Sequence, residues 1–329
     1  IGLGIPAEPL FRSRDRKKYM SNGDYKYYDS DATKFDGSAF VKAAYHINEQ
    51  WDIFGDLQYR YVQYESNGIN DKFYEEGSSY YNQRLDIDQK YRFLNPKAGF
   101  SWNLNNHRVY GSVALSHREP ERNNFTDNGA KPFPKADSLL DYELGYTFNN
   151  DIFRFGVNLY YMDYTNQFVQ SGEKSDIGED LTTNIKDSYR MGVEIQGGVD
   201  VTSWLSIEGN ASLSQNKIKD FDEVASVNWE ESFRTIHYDN STLAFSPSTI
   251  LNGFVNLQWG GLQAVWHTNF VSRQYLDNTE NADRSLPCYS ASDANISYTW
   301  KPNKAIKECV FGLNFNNIFN RRYAANGWV

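Results

Sequence analysis

The stretch SYTWKPNKAIKECVFGLNFNNIFNRRY, residues 297–323, decides the fold. Tyr298 and Trp300 alternate with polar neighbours up to a polar turn at 301–308. Cys309, Phe311, Leu313 and Phe315 then resume the alternation. A period of two is the mark of a strand with unlike faces, and directly opposed residues of an antiparallel hairpin share a face. Folded back at its turn, the segment sets Trp300, Tyr298, Ile296 and Ala294 against Cys309, Phe311, Leu313 and Phe315. The second strand runs on to Arg321–Tyr323, and the given sequence ends six residues later with no partner for it.

The same pattern extends back along the chain. Short polar or glycine-rich turns are read at 48–50, 105–108, 149–151, 200–202, 260–261 and 301–308. Long polar segments at 65–89, 119–138, 167–187, 218–247 and 275–287 alternate with them. That alternation predicts an all-β, antiparallel, up-and-down transmembrane β-barrel arrangement, with short turns at one end and long loops at the other. About twelve strands of about 9 to 14 residues are expected, enough to cross a bilayer when tilted.

Each hairpin pairs apolar residues with apolar residues. At the first turn Tyr45, Ala43, Val41 and Ala39 meet Ile53, Gly55, Leu57 and Tyr59. At the second, Leu104, Trp102, Phe100 and Ala98 meet Val109, Gly111, Val113 and Leu115. At the third, Phe148, Tyr146, Leu144, Tyr142 and Leu140 meet Phe153, Phe155, Val157, Leu159 and Tyr161. The fourth admits two registers, Val199 on Ser203 or Ile195 on Leu205. At the fifth, Trp259, Leu257, Val255 and Leu251 meet Leu262, Ala264, Trp266 and Phe270. A one-residue slip would invert every face.

The opposite face carries Asp56, Arg60, Glu143, Arg154, Arg190, Glu194 and Glu208, more charge than a dry core holds. These residues are expected on the concave side. Trp51, Trp102, Trp204, Trp259 and Trp300 all sit within a few residues of a short turn, as in an interfacial aromatic girdle.

Composition agrees. The chain has 329 residues, with 24 Tyr, 21 Phe and 8 Trp. That length in a soluble protein would suggest two or three domains. No apolar run is long enough for a transmembrane helix, and no secretory leader is read at residue 1. The net charge of −9 argues against a nucleic-acid partner. Cys288 and Cys309 make no disulfide framework and no metal spacing.

Five segments occur in order: ALSHREPERNNF (114–125), SLLDYELGY (138–146), YRMGVEI (189–195), FVSRQY (270–275) and GLNFNNIFNRRY (312–323). Together they resemble the C-terminal part of the barrel of TonB-dependent outer-membrane receptors, most closely those of the Bacteroidetes, over most of residues 30–329. The resemblance implies a receptor barrel domain over 1–329, truncated at both ends, within a wall of about 22 strands. It implies an N-terminal plug and a TonB box outside this sequence, TonB and outer-membrane lipids as partners, and the outer membrane of a Gram-negative bacterium as location. It further implies uptake of a scarce large solute, an iron chelate, cobalamin or a glycan, and in some receptors of this group a surface lipoprotein. The final strand is then unpartnered because the chain is a piece. A self-contained porin or adhesin-type barrel is the alternative.

No cofactor and no catalytic motif is found, and an enzyme is not expected. Ser116 and His117 are neighbours on a strand and point to opposite faces. The candidate ligand-binding residues are Arg118, Glu119 and Arg122 at the outer end of a strand, and Trp229, Tyr238 and Trp328 among the loop aromatics. Arg118–Arg122 reads either as a charged rim facing ligand or plug, or as a salt-bridged loop base. The aromatics could stack on a sugar or chelate or pack the loops together. Asp220, Asp222 and Glu223 could offer carboxylates to calcium but lack the spacing of a calcium loop, so they read as a solvated acidic loop. The five His residues are scattered and read as solvated. The two outermost strands, near 34–48 and 309–320, are expected to be unpaired with each other.

Overall fold

The computed structural model describes residues 28–76, 79–126, 133–174, 180–226, 233–302 and 307–327. They form one antiparallel sheet whose path is β1 (Asp29–His46), β2 (Trp51–Glu76), β3 (Ser79–Leu104), β4 (His107–Arg118), β5 (Asp137–Asn149), β6 (Phe153–Lys174), β7 (Asp180–Thr202), β8 (Leu205–Ser226), β10 (Thr249–Trp259), β11 (Leu262–Val271), β14 (Tyr289–Trp300) and β15 (Cys309–Phe315). β9 (Phe233–Thr242) pairs only with the outer part of β8. A short helix, α1 (Arg122–Thr126), follows β4, and β12 (Gln274–Tyr275) with β13 (Ser285–Leu286) makes a small separate pair.

Each strand of the path pairs with the next one along it, β9 stepping aside between β8 and β10 and the β12–β13 pair between β11 and β14. The sheet is open: β1 and β15 are its two ends and are not paired with each other, as expected from the sequence.

One row of directly opposed residues shows how the faces are sorted. Tyr45, Ile53, Phe100, Gly111, Leu144, Leu159, Val193 and Leu213 meet in succession across eight strands. Most of this row is exposed, with Tyr45 65% accessible and Leu144 47%. A row three residues further along, on the other face, Lys42, Asp56, Lys97, Ala114, Asp141, Met162, Arg190 and Asn216, is largely polar. The seven charged residues expected to share a face do so by this register. A single sheet layer with both faces open has no core between layers. The buried apolar clusters lie instead at the outer ends of the strands. Val169, Ile185, Ile218, Phe221 and Leu243 form one, and Leu85, Ile87 and Phe125 form another, with Tyr64 packed on it.

The first, fifth and sixth hairpins have the predicted register. The second and third are shifted by two residues, with the faces kept. Leu104 pairs with His107 because Asn105, at φ 51, makes a two-residue loop with Asn106. Phe148 pairs with Phe155 because Asn150 Oδ1 accepts from the amides of Ile152 and Phe153, which draws Phe153 into the turn. The fourth takes neither proposed register. Val199 faces Ile207, because an irregularity between Asp200 and Thr202 absorbs a residue ahead of the Ser203–Trp204 loop.

The strand lengths also differ from expectation. β2 and β3 have 26 residues each, and β6, β7 and β8 have 22, 23 and 22. The segments read as long loops at 65–89, 167–187 and 218–247 are largely continuations of the strands as two-stranded ribbons.

At the short-turn end, Trp51 faces Trp102, their rings 6.5 Å apart. The Trp204 carbonyl accepts from the Gln258 amide at 2.8 Å, beside Trp259, and Trp300 pairs with Cys309. All five tryptophans are exposed or half-exposed at this one end. Gly260, at φ +61, makes the fifth turn, and a Cβ on Gly261 would lie 2.4 Å from the Thr299 carbonyl oxygen.

Candidate functional site

Two polar networks lie toward the outer ends of the strands, and a third, Arg154 with Asp200 and Glu208, lies near the short turns. β4 ends at Arg118, and Glu119 follows it, 8% exposed. Glu119 accepts from Lys34 Nζ on β1 at 2.8 Å and from both terminal nitrogens of Arg60 on β2 at 2.8 and 2.9 Å. Arg60 also forks onto Asp36 at 3.0 and 2.6 Å. One guanidinium thus ties two carboxylates, a geometry its rigid planar fork suits. Arg118 points the other way, to Asp137 at the start of β5, at 3.1 and 2.5 Å. Arg122 opens α1 and is exposed. Pro120 is buried. The pairs made by Arg118 and Glu119 are of the kind that a salt-bridged loop base requires.

Tyr238 lies on a different ribbon. It packs on the Val169–Leu243 cluster and donates its hydroxyl proton to Glu223 Oε2 at 3.0 Å. Burial, with the Glu223 carboxylate beside it, pushes this phenol up from its ordinary value. Glu223 is 5% exposed and also accepts from Arg284, which bonds Asp277 in turn. Lys217 and the Thr242 amide hold Glu280 at 2.9 and 3.2 Å. Asn278 donates to the Gln170 carbonyl and accepts from the Ala244 amide. These bonds fix the segment bearing β12 and β13 against the β8–β9 ribbon. No hydrogen bond or ion pair among the described residues joins the Arg118–Arg122 group to Tyr238. Trp229 and Trp328 lie outside the described residues.

The carboxylates at 220–223 do not form a common site. Asp220 and Asp222 are exposed on strand β8, not in a loop, whereas Glu223 is turned inward to Tyr238 and Arg284. His237 is not free in solvent. Asp222 and Asp239 flank its ring, and their hydrogen bonds raise its pKa above the ordinary imidazole value. Sequence reasoning missed His237, Arg284 and Asp277, because their partners are set by ribbon pairing and by the return of a distant segment.

On the polar face, an open cleft of about 360 Å³ lies between Glu143, Tyr160, Arg190, Glu194 and Asn216. Phe245, held at φ 51, lies at its outer edge.

A single antiparallel sheet, apolar and exposed on one face and charged on the other, with a tryptophan band at one end, is the wall of a membrane β-barrel. The family description "TonB dependent receptor-like, beta-barrel" matches residues 8–318, and the chain belongs to that family. Among solved structures it is similar to the siderophore receptor PiuA from Acinetobacter baumannii, with 17% identity and a TM-score of 0.70 over 91% of this chain and 41% of that one. The ferric yersiniabactin uptake receptor FyuA from Yersinia pestis gives 17%, 0.64, 91% and 43%. The copper transporter OprC gives 13%, 0.71, 90% and 45%. At these identities the likeness is one of fold, and the chain spans less than half the length of each. No curated protein matches the chain.

Proposed function

We propose that this chain is part of the wall of a TonB-dependent receptor in a Gram-negative outer membrane, and that the whole protein takes up an iron chelate or a comparably scarce solute. The observation that carries the reading is the open sheet: twelve strands lie on one path, its end strands β1 and β15 are not paired with each other among the described residues, and the faces are sorted as in a barrel wall. Two facts support it. The matched receptors are more than twice as long as the part this chain covers, and the charged face suits a wide lumen filled by a plug. A self-contained porin would need β1 and β15 to meet. On this reading the missing partners are the plug, TonB acting through an N-terminal box, and the strands that complete the wall. Transport and not catalysis is then the role, and Arg118 and Glu119 hold the base of an outer loop, with the exposed Arg122 beside them as a candidate for ligand contact. Tyr238, Trp229 and Trp328 remain the aromatic candidates for ligand contact, and a surface lipoprotein is a further candidate partner.

The test is uptake of a panel of radiolabelled ferric chelates, cobalamin and glycans in cells with and without the gene, each with TonB present or deleted. Uptake of one solute that needs both supports the proposal. Uptake that needs the gene but not TonB would favour a passive pore.

A further inference from the structure

The exposed face of the β8–β9 ribbon carries a cluster that the transport reading does not use. Antiparallel pairing sets Asp220 opposite Asp239 and Asp222 opposite His237. The four side chains therefore form a square on one face, and all are exposed. The other face of the ribbon is anchored, with Phe221, Glu223 and Tyr238 turned into the apolar cluster and the Arg284 network. The square thus stands on a fixed support.

Its internal geometry is specific. His237 Nδ1 lies 2.8 Å from Asp222 Oδ1. A proton on Nδ1 donated to Asp222 leaves the lone pair on Nε2, as in the carboxylate–histidine–metal arrangement. Nε2 faces Asp239 Oδ1 at 3.1 Å. Two ligands each about 2.1 Å from one tetrahedral ion lie about 3.4 Å apart, so these two atoms need open only by a few tenths of an ångström to share one. Ligand atoms of Asp220, His237 and Asp239 all fall within 4.8 Å of one another. Two carboxylates directly opposed across a ladder repel. Among the described residues, the His237 ring pairs with Asp222 and Asp239, and no Lys or Arg pairs with any of the three aspartates.

We infer that Asp220, His237 and Asp239 bind a divalent transition-metal cation on the outer ribbon, with Asp222 as the residue that positions His237. One imidazole with two carboxylates is a borderline donor set, suited to zinc and its neighbours. Calcium takes six to eight oxygen ligands, which this site does not offer.

The experiment is calorimetric titration of Zn²⁺ into the full-length protein in detergent, after treatment with a chelator. The variants are H237Q, D239N and D222N, with heat-modifiable gel mobility confirming that each is folded. The expected result is one Zn²⁺ equivalent fewer in H237Q and D239N than in the unmodified protein. D222N should keep that equivalent with roughly 10- to 100-fold weaker affinity. Unchanged Zn²⁺ stoichiometry and affinity in H237Q and D239N would overturn the inference. So would saturable Ca²⁺ binding that D239N abolishes and H237Q leaves intact, which would show an oxygen-only site.

Discussion

Glu119 and Arg60, 59 residues apart in the chain, meet through two hydrogen bonds of 2.8 and 2.9 Å. With Lys34 and Asp36 they tie the outer ends of β1, β2 and β4 together, across the intervening β3. Glu119 is nearly enclosed, whereas Arg60 is partly open to solvent. Glu119→Ala should destabilise the folded protein by about 1–3 kcal/mol, below the full cost of breaking a buried pair because Arg60 keeps Asp36. Glu119→Gln should cost less, since it still accepts a hydrogen bond. Denaturant titration of the full-length protein in detergent, with both variants, checks the order.

Glu223 should be more important than its place in an acidic run suggests. Tyr238→Phe removes one hydrogen bond to it and should cost about 0.5–1.5 kcal/mol. Arg284→Ala removes the cation shared by Glu223 and Asp277 and should loosen the segment that bears β12 and β13. Limited proteolysis reads this directly: cleavage between residues 276 and 286 should accelerate in Arg284→Ala and stay near the unmodified rate in Tyr238→Phe.

His237 should titrate above the ordinary imidazole value, because Asp222 and then Asp239 hydrogen-bond its ring. A raised folded-state pKa contributes stability that is fully present below the unfolded-state value. It is lost as pH rises through the folded value. In metal-free protein, NMR titration of labelled histidines should find this one raised, and D222N should lower it more than D239N.

Trp51, Trp102, Trp204, Trp259 and Trp300 should lie at one depth of one leaflet. Single-tryptophan versions of the full-length protein in vesicles with lipids brominated at known depths should all show maximal quenching near the headgroup level of the same side. A split between the two leaflets would remove the girdle.

The parts legible in the sequence are those where burial requirements differ between faces. Around 260–261 and 301–308 the alternation runs up to the turn, and the pairing Trp259–Leu262 and Trp300–Cys309 follows from it. Turn geometry was less legible. The left-handed Asn105 moves the second hairpin by two residues, and the fourth pairs Val199 with Ile207 and not with Ser203; both net differences are even, which preserves the faces and so leaves no trace in hydropathy. The outer ribbons were read as loops because both of their faces are largely polar. Backbone pairing such as Gln63–Lys90 or Asp222–His237 continues without an alternating signal. Of the candidate site, the Arg118–Arg122 motif was visible as a motif. Its ties to Lys34 and Arg60 were not, because they join residues 59 to 85 positions apart.

The central claim is that this sheet is a section of a larger wall. A structure of the full-length protein by electron cryomicroscopy tests it most directly. The account predicts that the edges at Asp29–His46 and Cys309–Phe315 each hydrogen-bond to a further strand of the same protein, with a folded domain against the face that bears Arg190 and Glu194. A continuous backbone ladder between residues 36–47 and 309–315, closing these strands on themselves, would contradict it.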